Sequence, residues 1–182
     1  KPLIISLGMA SIREIKESVR TAKKYGCKKI VLLKCTSSYP ANVKELNLAS
    51  IPFLRKQFNC EVGFSDHTLG IGAAVTAVSL GASVIEKHFT SDCTQKGPDH
   101  SASLEPDELK ALVIAIRNIE KAISGSGLKE PSLSELKNIK IARKSIHYNS
   151  TLEKGDIVTK KNLICLRPGD GVSPMKWNDF LG

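Results

Sequence analysis

Two stretches hold the residues best suited to chemistry: "GFSDHTLGIG" at 63–72 and "VIEKHF" at 84–89. Each reads as a strand with one histidine near its end, His67 and His88, 21 positions apart (88 − 67). Neighbouring strands lie about 4.8 Å apart. Two imidazoles at matching height can then reach one divalent cation through nitrogen bonds of about 2.1 Å. Two nitrogen ligands leave most of the coordination sphere open to water and substrate, as Lewis-acid catalysis requires. The competing reading is that each histidine merely hydrogen-bonds at the start of a loop, and spacing alone leaves both readings open. Glu86 and His88 are two apart and share a strand face, whereas Lys87 points the other way, toward outer helices. Glu86 is thus a candidate acid–base or metal-water partner, with a salt bridge to a lysine as its ordinary alternative. A Schiff-base aldolase built on Lys87 is disfavoured.

A second set comprises Ser6, Ser37 and Ser65, each at or just past a strand end, beside Gly8 and Thr36. Hydroxyls and loop N–H groups converging on one point can hold a phosphate, although serine and glycine are also ordinary loop residues. Tyr39 in "SSYP" is either a binding aromatic or turn packing beside Pro40. Asp99 in "KGPDHSAS" (96–103) either binds polyol hydroxyls or serves the turn after Pro98. Arg167 in "LRPGDG", taken by itself, is a solvated charge on a β-turn.

The elements that must position these groups alternate. Strands are expected at 3–8, 29–36, 60–67 and 83–89. Between and after them come helical patterns at 11–26, at 48–59 (weaker, interrupted by Pro52), at 71–82 and at 105–125. Ser11 and Glu14 form a capping-box pattern, and Gly26 suits the position just past the helix end. Pro106 suits the first helical position of the last one. Such alternation implies βαβ units and parallel strands, in an open doubly wound sheet or part of a (β/α)₈ barrel. In barrels the chemistry sits on the strand-to-helix loops, where the polar residues fall here. After Gly125 the texture changes. A Gly/Ser/Pro-rich linker and a helix (134–145) lead into short β-like pieces punctuated by turns. The domain reading is 1–125, then linker and helix at 126–144, then a small β-rich module at 145–182.

The 182 residues are 41% hydrophobic, enough for a real core, and no run is long enough to span a membrane. No signal peptide is evident, and the chain enters an apolar run directly from Lys1, as a piece of something longer would. The net charge of +9 is spread over presumed helix faces and loops with few aromatics, so nucleic acid is not an expected partner. The five cysteines are odd in number and widely spaced, without a CxxC pair. They read as reduced cytosolic thiols rather than a zinc cluster or disulfide framework.

Together, "KPLIISLGMAS", "LLKCTSSYP", "GFSDHTLGIG", "VIEKHFT", "GPDHSASLEPDEL" and "RPGDGVSP" closely resemble the sialic acid synthase family of N-acetylneuraminate, legionaminate and pseudaminate synthases. The resemblance implies the second half of a TIM (β/α)₈ barrel followed by a partial antifreeze-like (SAF) domain. It implies a cytoplasmic transferase that condenses phosphoenolpyruvate with an N-acetylated hexosamine, N-acetylmannosamine or a related 6-deoxy diacetamido sugar, releasing phosphate. It implies a divalent metal, Mn2+ with Mg2+ or Co2+ as alternatives, held by His67 and His88. Glu86 would handle protons. Ser6, Ser37 and Ser65 would bind phosphoenolpyruvate, with Ser37 departing from the asparagine of some members. Tyr39 and Asp99 would contact the sugar. Arg167 would reach over the site from the partner subunit of a domain-swapped homodimer. On this reading the 182 residues alone are expected to be inactive. The alternatives are a non-catalytic carbohydrate-binding fragment and a pyruvate-using metal-dependent aldolase.

Overall fold

The computed structural model describes residues 1–182, which divide into two compact units, Lys1–Ser124 and Gly125–Gly182. In the first unit, β1 (Leu3–Ser6), β2 (Ile30–Cys35), β3 (Glu61–Asp66) and β4 (Ile85–Lys87) form one parallel sheet in the order β1-β2-β3-β4. Helices α1 (Ile12–Lys24), α2 (Ser50–Phe58) and α3 (Gly72–Ser79) connect them, and α4 (Pro106–Ala122) follows β4. Strand order equal to chain order decides between the two expected architectures. A doubly wound sheet reverses direction midway, whereas sequential right-handed crossovers stack every helix on one face, as in a barrel.

Local chemistry sets the element ends. Ser11 Oγ accepts from the Glu14 N–H while Glu14 Oε2 accepts from the Ser11 N–H at 2.7 Å, closing the capping box of α1. Gly26, with φ at +87°, follows the helix as expected. Pro52 does not interrupt α2. It occupies the third helical position, where a missing N–H deprives the helix of no internal hydrogen bond. The observed helices stop short of the expected ranges, and β4 shrinks to three residues. α5 (Leu133–Ala142) starts one residue early, behind the Ser132 cap, and ends before Arg143.

The outward face of the sheet carries Leu32, Val62 and Phe64, which pack with Ile15 and Val19 of α1 and Ile51, Leu54 and Phe58 of α2 in the main core. The opposite face carries Leu33, Gly63 and Ser65 at alternate positions. β1 is an outer strand of the sheet, and its Leu3 and Ile4 are exposed.

In the second unit the β-like pieces condense into one antiparallel pair, β5 (Ser145–Tyr148) with β6 (Leu163–Leu166). The rest is turns and 3-10 segments, and the only buried residues are Ser145 and Leu163. Few apolar residues between many charges leave little to bury, so strand pairing stays short. Nothing in the first unit is long and apolar enough to cross a membrane as a helix, and the same holds for the second.

Candidate active site

Register creates the site. β3 and β4 pair with Ser65 opposite Glu86 and Asp66 opposite Lys87. One step further along the same register His67 stands beside His88, with ring centroids 5.4 Å apart and planes at 65°. The shared separation of 21 residues is this register written in sequence, recurring in the Ser65–Glu86 and Asp66–Lys87 contacts. A cavity of about 330 Å³ opens there, lined by Ser65, His67, Glu86, Lys87 and His88. The Lys87 side chain itself turns to the other face, where it bonds Asp66 and Thr68, and is 3% exposed.

Hydrogen bonds fix the state of His67. Its Nδ1 lies 2.9 Å from the Thr36 carbonyl oxygen, which can only accept, so Nδ1 carries the proton. In the neutral ring Nε2 is then the lone-pair nitrogen. Ser65 Oγ stands 3.4 Å from Nε2 but 2.7 Å from Glu86 Oε1, and its single proton goes to the nearer carboxylate. The Nε2 lone pair of a 7%-exposed imidazole is left unclaimed within the protein. Glu86 takes this serine contact instead of the lysine salt bridge that was its alternative reading.

Tyr39 closes one side. Its ring stacks on His67 at 4.1 Å and meets His88 edge-on at 5.4 Å. The loop carrying Asp99 closes another: Asp99 Oδ2 lies 4.0 Å from His88 Nδ1. Five expected site residues other than Ser65 therefore meet at one place: His67, His88, Glu86, Tyr39 and Asp99. Ser6 and Ser37 stand exposed, on β1 and past β2, and share no hydrogen bond with this cluster. Ser37 Oγ instead lies against Gly8, whose φ is +42°. Arg167 belongs to the second unit, exposed, where its Nε donates to the Ala142 carbonyl at 2.8 Å. Two further bonds fasten its turn, from Ser145 Oγ to the Pro168 carbonyl and from the Gly169 N–H to the Lys140 carbonyl.

Sequence reasoning missed the groups behind the histidines. The Thr36 carbonyl is a main-chain atom and leaves no signal in residue type. Lys34 Nζ holds the same segment, donating to the Cys35 carbonyl at 2.8 Å and to Thr36 Oγ1 at 3.1 Å. Burial pushes its ammonium below the usual lysine range. Asp66 and Lys87, both buried, pair at 2.9 Å on the helix-facing side of the sheet. Their signal was the repeated spacing of 21, legible only once the strands are known to be neighbours.

The donor set bears on whether a metal fits. No group of three or more His, Cys, Asp or Glu donors is assembled. What is present is a pair of adjacent imidazoles, one of them with its lone pair free and its far nitrogen anchored to a carbonyl, the usual pattern for a metal-ligating histidine. These residues fit a borderline divalent cation gripped at two points, with its other positions left to water or substrate.

Sequential parallel strands with polar side chains gathered past their carboxyl ends define a barrel-type α/β architecture with its working face at that end. Residues 1–129 match the NeuB family model, and the chain belongs to the NeuB family. It is 49% identical over its whole length to the N,N'-diacetyllegionaminic acid synthase of Campylobacter jejuni, covering 55% of that protein. It is 45% identical to the Legionella pneumophila synthase of the same name, again over its whole length and 52% of the relative. The chain thus spans about half the length of these relatives. Among solved structures, the N-acetylneuraminic acid (sialic acid) synthetase of Leptospira borgpetersenii matches 76% of this chain and 48% of its own, with TM-score 0.68 and 41% identity. The parallel half-barrel sheet is the fold shared with it.

Proposed function

We propose that this chain carries the metal-binding half of the catalytic centre of a synthase. That enzyme joins phosphoenolpyruvate to an N-acetylated hexosamine, giving a sialic-acid-type nonulosonate and phosphate. The single observation that carries the reading is the paired imidazoles of His67 and His88, 5.4 Å apart, beside a carboxylate that accepts a hydrogen bond from a serine. A divalent cation, Mn2+ in the first instance, supplies Lewis-acid polarisation of a sugar aldehyde when bound. His67 would hold it through Nε2 and His88 through its ring. Glu86 Oε1 accepts a hydrogen bond from the Ser65 hydroxyl and is placed to take or return a proton at the condensing carbon or the added water. Tyr39 covers the two imidazoles on one side and limits water there. Asp99 stands at the rim, where it would accept from sugar hydroxyls.

Ser6, Ser37 and Ser65 are the proposed phosphoenolpyruvate contacts. The second unit is proposed to be the antifreeze-like domain that carries Arg167 to the site of a partner subunit in a cytoplasmic homodimer. Relatives named for diacetyllegionaminic acid favour a diacetamido sugar as the first substrate to test.

The test is phosphate release by the full-length protein supplied with Mn2+, phosphoenolpyruvate and either N-acetylmannosamine or a 2,4-diacetamido-6-deoxyhexose. Release that requires both substrates supports the reading. Condensation with pyruvate and no phosphate would instead identify an aldolase, and neither reaction would leave a binding role.

A further inference from the structure

The stretches "SDHT" and "EKH" contain three side chains that the proposed chemistry does not use: Asp66, Thr68 and Lys87. All three are buried. The Asp66 and Lys87 side chains are 0% and 3% exposed, and Thr68 is 1% exposed. Their bonds form one network. Lys87 Nζ donates to Asp66 Oδ2 at 2.9 Å and to the Thr68 carbonyl at 2.6 Å. Asp66 Oδ1 accepts from both the Thr68 N–H and the Thr68 hydroxyl, each at 2.8 Å. Every polar atom of the network is satisfied, as a buried ion pair requires if it is not to cost stability.

Its placement suggests what it is for. Asp66 and Thr68 flank His67, and Lys87 directly precedes His88. Side chains alternate along a strand, so the network lies on the helix side of the sheet while the imidazoles stand on the mouth side. The Lys87–Asp66 bond ties β3 to β4 at the last paired position before the histidines. The three bonds that involve Thr68 also fix the chain where it leaves β3. Replacing such a pair by apolar residues of similar volume is commonly neutral or stabilising. Stability alone therefore does not explain an ion pair at this spot.

We propose that the Asp66–Thr68–Lys87 network is a positioning device that holds the His67 and His88 backbones in register, so that both rings can reach one cation. This rests on the reading of His67 and His88 as metal ligands. None of the three is a proposed ligand or substrate contact, so their effect is expected through the histidines, in metal affinity rather than only in folding.

The experiment measures Mn2+ dissociation constants by titration calorimetry on the full-length protein. It compares wild type with Asp66→Asn/Lys87→Met, Thr68→Val and His67→Ala, with circular dichroism confirming that each is folded. Asn at position 66 can still accept from Thr68, and Met fills the lysine stem's volume without charge, so the double variant leaves no orphaned ion. The expected result is an affinity about 10- to 100-fold weaker in the double variant, the loss typical of groups that orient metal ligands. A smaller loss is expected in Thr68→Val. A purely structural network would lower the melting temperature and leave the affinity of the folded protein unchanged, which overturns the positioning role but not the metal site. A wild type that does not bind Mn2+, or binding indifferent to His67→Ala, overturns both. If the double variant does not fold, Thr68→Val decides. Unchanged affinity together with unchanged ring-proton NMR shifts of His67 and His88 overturns the proposal.

Discussion

Gly63 sits in the middle of β3, between Val62 and Phe64, whose side chains are fully buried on the helix side. Its own missing side chain faces the mouth side, two residues below Ser65. A Cβ added there would lie 2.4 Å from the Val84 carbonyl oxygen, 2.6 Å from Leu33 Cδ2 and 2.9 Å from Val84 Cβ. Leu33 can rotate away, but the Val84 carbonyl cannot, because it accepts the Phe64 N–H at 2.8 Å as part of the strand pairing. Overpacking of this kind costs about 1–3 kcal/mol, and contact with backbone places Gly63→Ala at the upper end. The smaller entropy of the unfolded alanine chain offsets about 0.4–1 kcal/mol, leaving about 2 kcal/mol of destabilisation. At about 2–4 °C per kcal/mol for a chain of this size, melting followed by circular dichroism should fall by about 4–8 °C. β3 must shift away from β4 to relieve the clash, so the variant should also bind Mn2+ more weakly. An unchanged or raised melting temperature would refute the close approach of β3 to Val84 on which the register, and so the meeting of the histidines, depends.

Gly72→Ala is the natural contrast. Nothing lies within 4 Å of its added Cβ, its φ is not in the left-handed region, and it opens α3. Melting should rise by an amount equivalent to about 0.4–1 kcal/mol. Ser11→Ala removes the α1 cap and should cost about 1 kcal/mol in denaturant unfolding, with Ser11→Gly costing only a few tenths of that unit. For Lys34, burial lowers the folded ammonium's pKa below its unfolded value. The unfolded chain then binds more protons in the window between the two values, and wild-type stability should rise with pH through that window relative to Lys34→Met. Denaturation midpoints of the two proteins between neutral pH and about pH 10.5 check the sign, and a relative fall would contradict it. Glu86→Gln should lower synthase turnover by about 10²- to 10⁴-fold while leaving Mn2+ affinity nearly intact; loss of both together would make Glu86 a ligand rather than a proton carrier.

Much of this was legible in the chain itself because it is written locally. The βα alternation, the Ser11–Glu14 capping box and the left-handed Gly26 follow from periodicity and cap chemistry within a few residues. The shared face of Glu86 and His88, with Lys87 opposite, follows from the two-residue period of a strand. What escaped depends on pairing between distant segments. The Thr36 carbonyl anchors His67 across 31 positions through a main-chain atom, and no side-chain type announces it. Asp66 and Lys87 resemble solvated charges until the register puts them face to face in the interior. Pro52 was misjudged because its effect depends on where the helix begins, at Ser50 rather than at Leu48. Ser6 and Ser37 stand exposed at their strand ends and share no hydrogen bond with the cluster of Ser65, a separation that strand-end position alone does not reveal.

Nitrogen hyperfine couplings on Mn2+ bound to the full-length protein test the central claim most directly. Two imidazole couplings are expected, falling to one in His67→Ala and to one in His88→Ala. A bound ion with no imidazole coupling, or a spectrum indifferent to both substitutions, would contradict a cation shared between these two rings.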